Sequence, residues 1–160
     1  MADLTRKEFV LLLIRSVEHP RFRDMDLSKL DLRGMDLHGA DLSLSELIET
    51  DLENANLREA CLDQAVLMGA NLRSANLSWS SLIGANMRLA HLESSNLTGA
   101  NLEGVNMAGI DLAGVNLLQA NLRNADLTRA ILKDARINMD QIAQVKSIQG
   151  AILPDGTRAP

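Results

Sequence analysis

The chain has 160 residues, 46% of them hydrophobic but only 2% aromatic, and a formal net charge of −5 at pH 7. That length holds one domain, and so few rings exclude an aromatic-rich globular core. The acidic balance argues against direct nucleic-acid binding, and a single cysteine, Cys61, excludes an internal disulfide.

In chain order, residues 5–18 read as an amphipathic helix. Thr5 and Glu8 have the spacing of a capping box, and Leu4 with Phe9 that of a hydrophobic staple. Phe9, Leu12, Leu13 and Val17 mark one side, and Pro20 stops the helix. Arg6 and Lys7 precede the apolar run Phe9–Ile14, which is shorter than the apolar region of a signal peptide. We read no export signal and no membrane span, and with the unpaired Cys61 this points to a reducing, cytoplasmic compartment. Residues 1–19 are thus a capping helix, expected to cover the otherwise open edge of the segment that begins at Pro20.

Residues 20–138 repeat every five positions. Stepping by five from Leu27 reaches leucine each time to Leu132 and then Ile137, interrupted only by Met87 and Met107. Two residues before each stop the chain is usually small (Ala40, Ala55, Ala60, Ala65, Ala70), and one residue before it usually Asp or Asn (Asp26, Asn71, Asn101). A period of five matches neither helix nor flat strand. The chain must turn within each unit so that every leucine meets one interior, which is the mark of a solenoid. Leu52, Leu72, Leu92, Leu112, Met87 and Met107 are core on this reading. Eight of the ten glycines lie two residues after a stop, among them Gly34, Gly69 and Gly99, as expected if that slot takes positive φ in a recurring turn.

The tandem unit A-[DN]-L-x-x, clearest in residues 70–79 (AlaAsnLeuArgSer, AlaAsnLeuSerTrp), resembles the pentapeptide-repeat family. The resemblance implies an all-β solenoid: a right-handed quadrilateral β-helix of about six coils, with short capping helices at both ends. It also implies that residues twenty apart stack on the same side.

Past Ile137 the repeat fails. Ile142, Val145 and Ile148 are spaced by three, so 139–147 reads as a second short helix, followed by a tail with a ProAspGly turn at 154–156. Residues 139–160 form this C-terminal segment.

No catalytic constellation emerges. His19, His38 and His91 are scattered without metal-ligand spacing, Cys61 has no histidine near it in sequence, and a filled column lacks a substrate pocket. No enzyme, cofactor, metal or small-molecule substrate is expected.

The outer surface remains. Residues 26–63 hold ten acids against Lys29, Arg33 and Arg58, whereas 64–137 hold five against six bases. Some members of the resembled family imitate DNA and inhibit DNA gyrase. The acidic end (Asp26, Asp31, Asp36, Asp41, Glu46, Asp51, Glu53) is therefore either a DNA mimic or a solubilising end. Its acids ring all four sides, with Asp31 expected to repel the stacked Asp51. Farther on, Asn56, Asn76, Asn96 and Asn116 are expected to form an uncharged hydrogen-bonding ladder. An apolar patch of Leu44, Ile48, Val66, Met68, Ile83 and Leu89 marks either a protein-partner or homodimer surface or harmless drift. The expectation is a non-catalytic protein-binding or scaffold rod, with inhibition of gyrase as the alternative.

Overall fold

Each five-residue unit closes on itself. The N–H of Ala55 donates to the Leu52 carbonyl and that of Ala75 to Leu72, both at 3.0 Å. The residues between, Asn54 and Ser74, have φ of 58° and 56°, the mark of a type II turn. The same position is left-handed in unit after unit between Asp24 and Asp134, whether or not it is glycine: Leu44 has φ 62°, Trp79 61° and Leu89 61°. The preference for Asp or Asn before each leucine also has a local cause. Its Oδ1 accepts the N–H two residues on, as Asp26 does from Ser28 at 3.0 Å and Asn96 from Thr98 at 3.1 Å, an Asx turn that fixes the bend.

The computed structural model describes residues 5–15 and 20–160; Leu4, Val17 and His19, and with them the staple and the end of the first helix, lie outside these. Units stack at a separation of twenty. Asp26, Glu46, Val66, Asn86, Asn106 and Asp126 succeed one another in parallel bridges, as do Asp36, Asn56, Asn76, Asn96 and Asn116. Four units therefore make each turn of chain, one per side; the sides beginning at Asp26, Asp31, Asp36 and Asp41 are here the first to fourth. Leu32 N–H donates to the Asp51 carbonyl at 2.7 Å, and Asp51 N–H to Leu30 at 2.9 Å, so each row's backbone is paired by its neighbours. The bridges are single-residue contacts, with a corner on either side.

Leu52, Leu72, Leu92, Leu112, Met87 and Met107 are fully buried, each contributing about 1.5–3 kcal/mol. At three of the four polar small slots the hydroxyl donates to a backbone carbonyl, Ser45 to Leu42 at 2.6 Å, Ser80 to Leu77 at 2.7 Å and Thr50 to Leu27 at 2.8 Å, whereas the buried Ser95 hydroxyl has no partner among the described residues. Such bonds remove most of the penalty for burying a hydroxyl.

Helix α1 (Arg6–Arg15) begins with the expected box: Thr5 N–H donates to the Glu8 carboxylate at 2.8 Å, and Glu8 N–H to Thr5 Oγ1 at 3.3 Å. Phe9 is fully buried, its ring centroid 4.4 Å from that of Phe22, and Leu13, Met25, Leu30 and Met35 pack beside them. Leu12, expected on the same side, is instead 38% exposed, because the narrow end of the column offers contact to one stripe of the helix only.

The C-terminal segment differs from the sequence expectation. Helix α2 is only Met139–Ile142, with an Asn138–Gln141 capping box. The stacking then resumes one residue out of step: Asp126 bridges Ser147 and Ile131 bridges Ile152, separations of twenty-one. Ile148 takes a core slot, Gly150 the left-handed corner (φ 69°) and Ala151 the small buried one. The helical turn takes up one extra residue, which shifts the phase and hides the continuation from a strict five-residue count. Buried Gln141 seals this junction, its amide donating to the carbonyls of Leu117 at 2.6 Å and Ala120 at 2.8 Å. Residues 157–159 turn back over 150–153, with Ala159 N–H donating to the Ala151 carbonyl at 2.8 Å.

Candidate protein-docking face

On each side three residues per unit face outward: the one before the leucine, the one after it and the corner residue. On the first side this gives three columns. They read Asp26, Glu46, Val66, Asn86, Asn106 and Asp126; Ser28, Ile48, Met68, Arg88, Ala108 and Thr128; and Lys29, Glu49, Gly69, Leu89, Gly109 and Arg129. Four of the six patch residues are therefore together on one face. Leu89 is 69% exposed; Ile48, Val66 and Met68 are half-buried by their neighbours. Leu44 and Ile83, both exposed, lie on the adjoining fourth side at the shared edge.

The same face continues into a feature to which the linear sequence gives no clue. Arg88, Arg129 and Arg158 surround a hollow of about 870 Å³ floored by Ala108, Gly109, Ile131 and Ile152. It forms because Ala108 and Gly109 put almost no side chain between the rows of Arg88 and Arg129. Arg158 arrives only through the returning C-terminal segment. A linear count of charges in 64–137 could not assemble it.

The acidic end is less free than its composition suggests. Asp31 and Asp51 do stack, but Arg33 lies against both, at 2.9 Å and 3.5 Å, and Arg6 of α1 reaches Asp31 at 2.7 Å. The expected repulsion is thus relieved, and the bonds from Arg33 hold the Asp31 carboxyl well below the usual carboxylate range. Asp36 accepts from Asn56 Nδ2 at 2.8 Å, Asp51 from Asn71 at 2.9 Å and Asp41 from Ser43 Oγ. Asp36 and Glu46 are exposed, and Glu53 is half-buried. In the asparagine column the oxygens mostly serve their own turns; Asn96 reaches Asn76 only at 3.5 Å.

The Asx bonds carry a pH signature. Donation by the Ser28 N–H lowers the Asp26 pKa, while the side-chain hydrogen bonds of Ser43 and Thr128, backed by their N–H groups, lower those of Asp41 and Asp126. A carboxyl whose folded pKa is depressed stabilises the fold above its unfolded value and loses that contribution as pH falls. The thermal midpoint is therefore expected to hold from pH 7 to about 5 and fall progressively below about pH 4. A midpoint rising on acidification would contradict this assignment.

Cys61 is half-buried in the column of Asp41 and Ser81, and burial pushes its thiol pKa up, away from nucleophilic use. His38 Nδ1 lies 2.9 Å from the Arg58 carbonyl, and His91 lies beside Arg73 at 3.2 Å. Among the described residues no cluster of His, Cys, Asp or Glu could hold a metal, and no helix is long and apolar enough to cross a membrane. On the third side, Trp79 lies over Gly99, where an added Cβ would meet the indole at 2.4 Å.

The sequence matches the family of pentapeptide repeats in eight copies, over residues 21–43, 36–73, 50–88, 70–109 and 106–138. The chain belongs to the pentapeptide-repeat family, whose members fold as right-handed quadrilateral β-helices. Among solved structures it is similar to alr5209, a pentapeptide repeat protein from Nostoc PCC 7120 (29% identity, 64% of this chain and 80% of that one, TM-score 0.58). It also resembles HetL from the same cyanobacterium, involved in heterocyst differentiation regulation (24%, 98% and 100%, TM-score 0.34). A third is AT2G44920 from the thylakoid lumen of Arabidopsis thaliana (28%, 86% and 85%, TM-score 0.33). No curated protein matches.

Proposed function

We propose that the chain is a non-catalytic, cytoplasmic rod of about six coils, capped by helix α1 at its N-terminal end, that recognises a protein partner through its first side. The observation that carries this reading is the continuity of Ile48, Val66, Met68 and Leu89 on one face, with Leu89 69% exposed. A contiguous apolar patch rimmed by charge is the usual form of a protein contact. Imitation of DNA as a gyrase inhibitor finds less support, since it needs carboxylates running along one face. Here they ring the rod, and Asp31 and Asp51 share Arg33.

Ile48→Glu combined with Met68→Glu is expected to weaken self-association, or capture of a partner from host lysate, by at least about tenfold. The thermal midpoint should stay within a few degrees, because both side chains face outward. An unchanged mass by light scattering together with an unchanged capture would remove this face from consideration.

A further inference from the structure

Resting on that docking-face reading, we propose that the partner presents a short acidic peptide segment to the first side. Its carboxylates enter the arginine hollow, and an apolar residue beside them rests on Leu89 and Met68. Arg88, Arg129 and Arg158 border the hollow and are exposed. Among the described residues none of the three has an acid within ion-pair distance. Arg88 and Arg129 stand two rows apart, about 10 Å, with only Ala108 and Gly109 between them. Like charges gathered without a counterion focus a positive potential on the cleft they enclose.

The floor selects the class of anion. Gly109 N–H donates to the Thr128 carbonyl at 2.8 Å, Arg129 N–H to Gln149 at 2.9 Å and Gly150 N–H to Ala159 at 3.2 Å. Thr128 Oγ1 is bonded to Ser147 Oγ at 2.7 Å. These committed groups form no backbone nest for a phosphate. The grip is left to guanidinium forks, which match carboxylates through paired charge-assisted bonds. A hollow of about 870 Å³ is far larger than one inorganic anion needs, since a water occupies about 30 Å³. Ile131 and Ile152, stacked at the start of the second side, offer it an apolar wall. The methylenes of glutamate side chains suit such a wall.

A nucleic-acid backbone fits this side less well. Its charge is continuous, and Asp26, Glu46 and Glu49 hold the other end of the same face. A peptide can place its acids in the hollow alone. Leu89, 69% exposed, adjoins Arg88, and Met68 lies one row back. The rows of Met68 and Arg129 are three apart, about 14 Å, which an extended segment covers in about four residues. The segment therefore carries an apolar residue at about that distance from its carboxylates.

The probe is a dye-labelled peptide with a leucine four residues from a run of glutamates, titrated against the whole chain by fluorescence anisotropy. Saturable binding below about 1 mM is expected, weakened by salt because the charges are exposed, and lost when glutamines replace the glutamates. Arg88→Glu and Arg129→Glu are each expected to weaken binding at least about tenfold, with parental circular dichroism. Arg123→Glu makes the same charge change on the fourth side, outside the hollow, and is expected to bind as the parent does. Equal weakening by Arg123→Glu, or equal binding of the glutamine peptide, overturns the hollow as a site. A glutamate peptide that does not bind, or that a single-stranded oligonucleotide displaces at lower concentration than unlabelled peptide does, overturns the acidic segment as occupant. So does a mass that rises with concentration and returns to one chain in Arg88→Glu, which makes the occupant the acidic end of a second copy. In each of these cases a captured protein lost by Ile48→Glu with Met68→Glu still upholds the docking face. Arginine-dependent peptide binding with unchanged capture upholds the hollow and removes the apolar face.

Discussion

Leu72→Asp is expected to leave the chain unfolded at 25 °C. Leu72 is fully buried in the middle of the leucine column, with rows stacked on both sides of it. Truncating such a leucine alone costs about 2–5 kcal/mol. Placing a carboxyl among leucines adds several kcal/mol, whether it stays charged without a partner or takes up a proton. A domain of this size has about 5–15 kcal/mol in total. In a solenoid each row is held only by its neighbours, so a failure at mid-rod removes support in both directions. Far-UV circular dichroism and a urea midpoint measure the effect. Ser74→Gly, two residues away on an exposed corner with φ 56°, is the matched control and should be neutral or slightly stabilising. A folded Leu72→Asp protein would mean that the leucines do not share one interior.

How far the sequence discloses the structure depends on how local each cause is. The leucine column is legible because its cause lies within one unit and recurs at fixed phase. The left-handed corner is legible in the same way, through the phase of the glycines. The role of the Asp and Asn residues is less so: their position suggests surface charge or a ladder, whereas their oxygens are first engaged in holding their own turns. In the sequence Arg33 is one of three bases among ten acids, yet its place between Asp31 and Asp51 changes what those acids present. The resumed stacking at Ser147 is hidden by a single added residue. Ile148 and Leu153, five apart with Gly150 between, are the signal that could have found it. The arginine hollow is least accessible, since it joins residues from 88 to 158 and owes its depth to what Ala108 and Gly109 lack.

Phe9→Ala is expected to cost about 3–5 kcal/mol, far more than its place in a short terminal helix suggests. Its side chain is fully buried and stacked on Phe22 at 4.4 Å, whereas Leu11 and Leu12 of the same helix are exposed. The helix thus depends on Phe9 and Leu13 for its seat. The surface ion pair from Arg6 to Asp31 adds little, as exposed pairs do. Beneath the helix, the row of Asp26, Asp31 and Asp36 has no complete row before it, and uncovered backbone groups at such an edge recruit other chains. Loss of Phe9 should therefore lower the thermal midpoint and also produce heterogeneous, growing species in light scattering. Deletion of residues 1–19 should reproduce both effects if the helix acts as a lid through this one ring. A deletion variant that stays at parental midpoint and parental mass would show that the edge needs no cover.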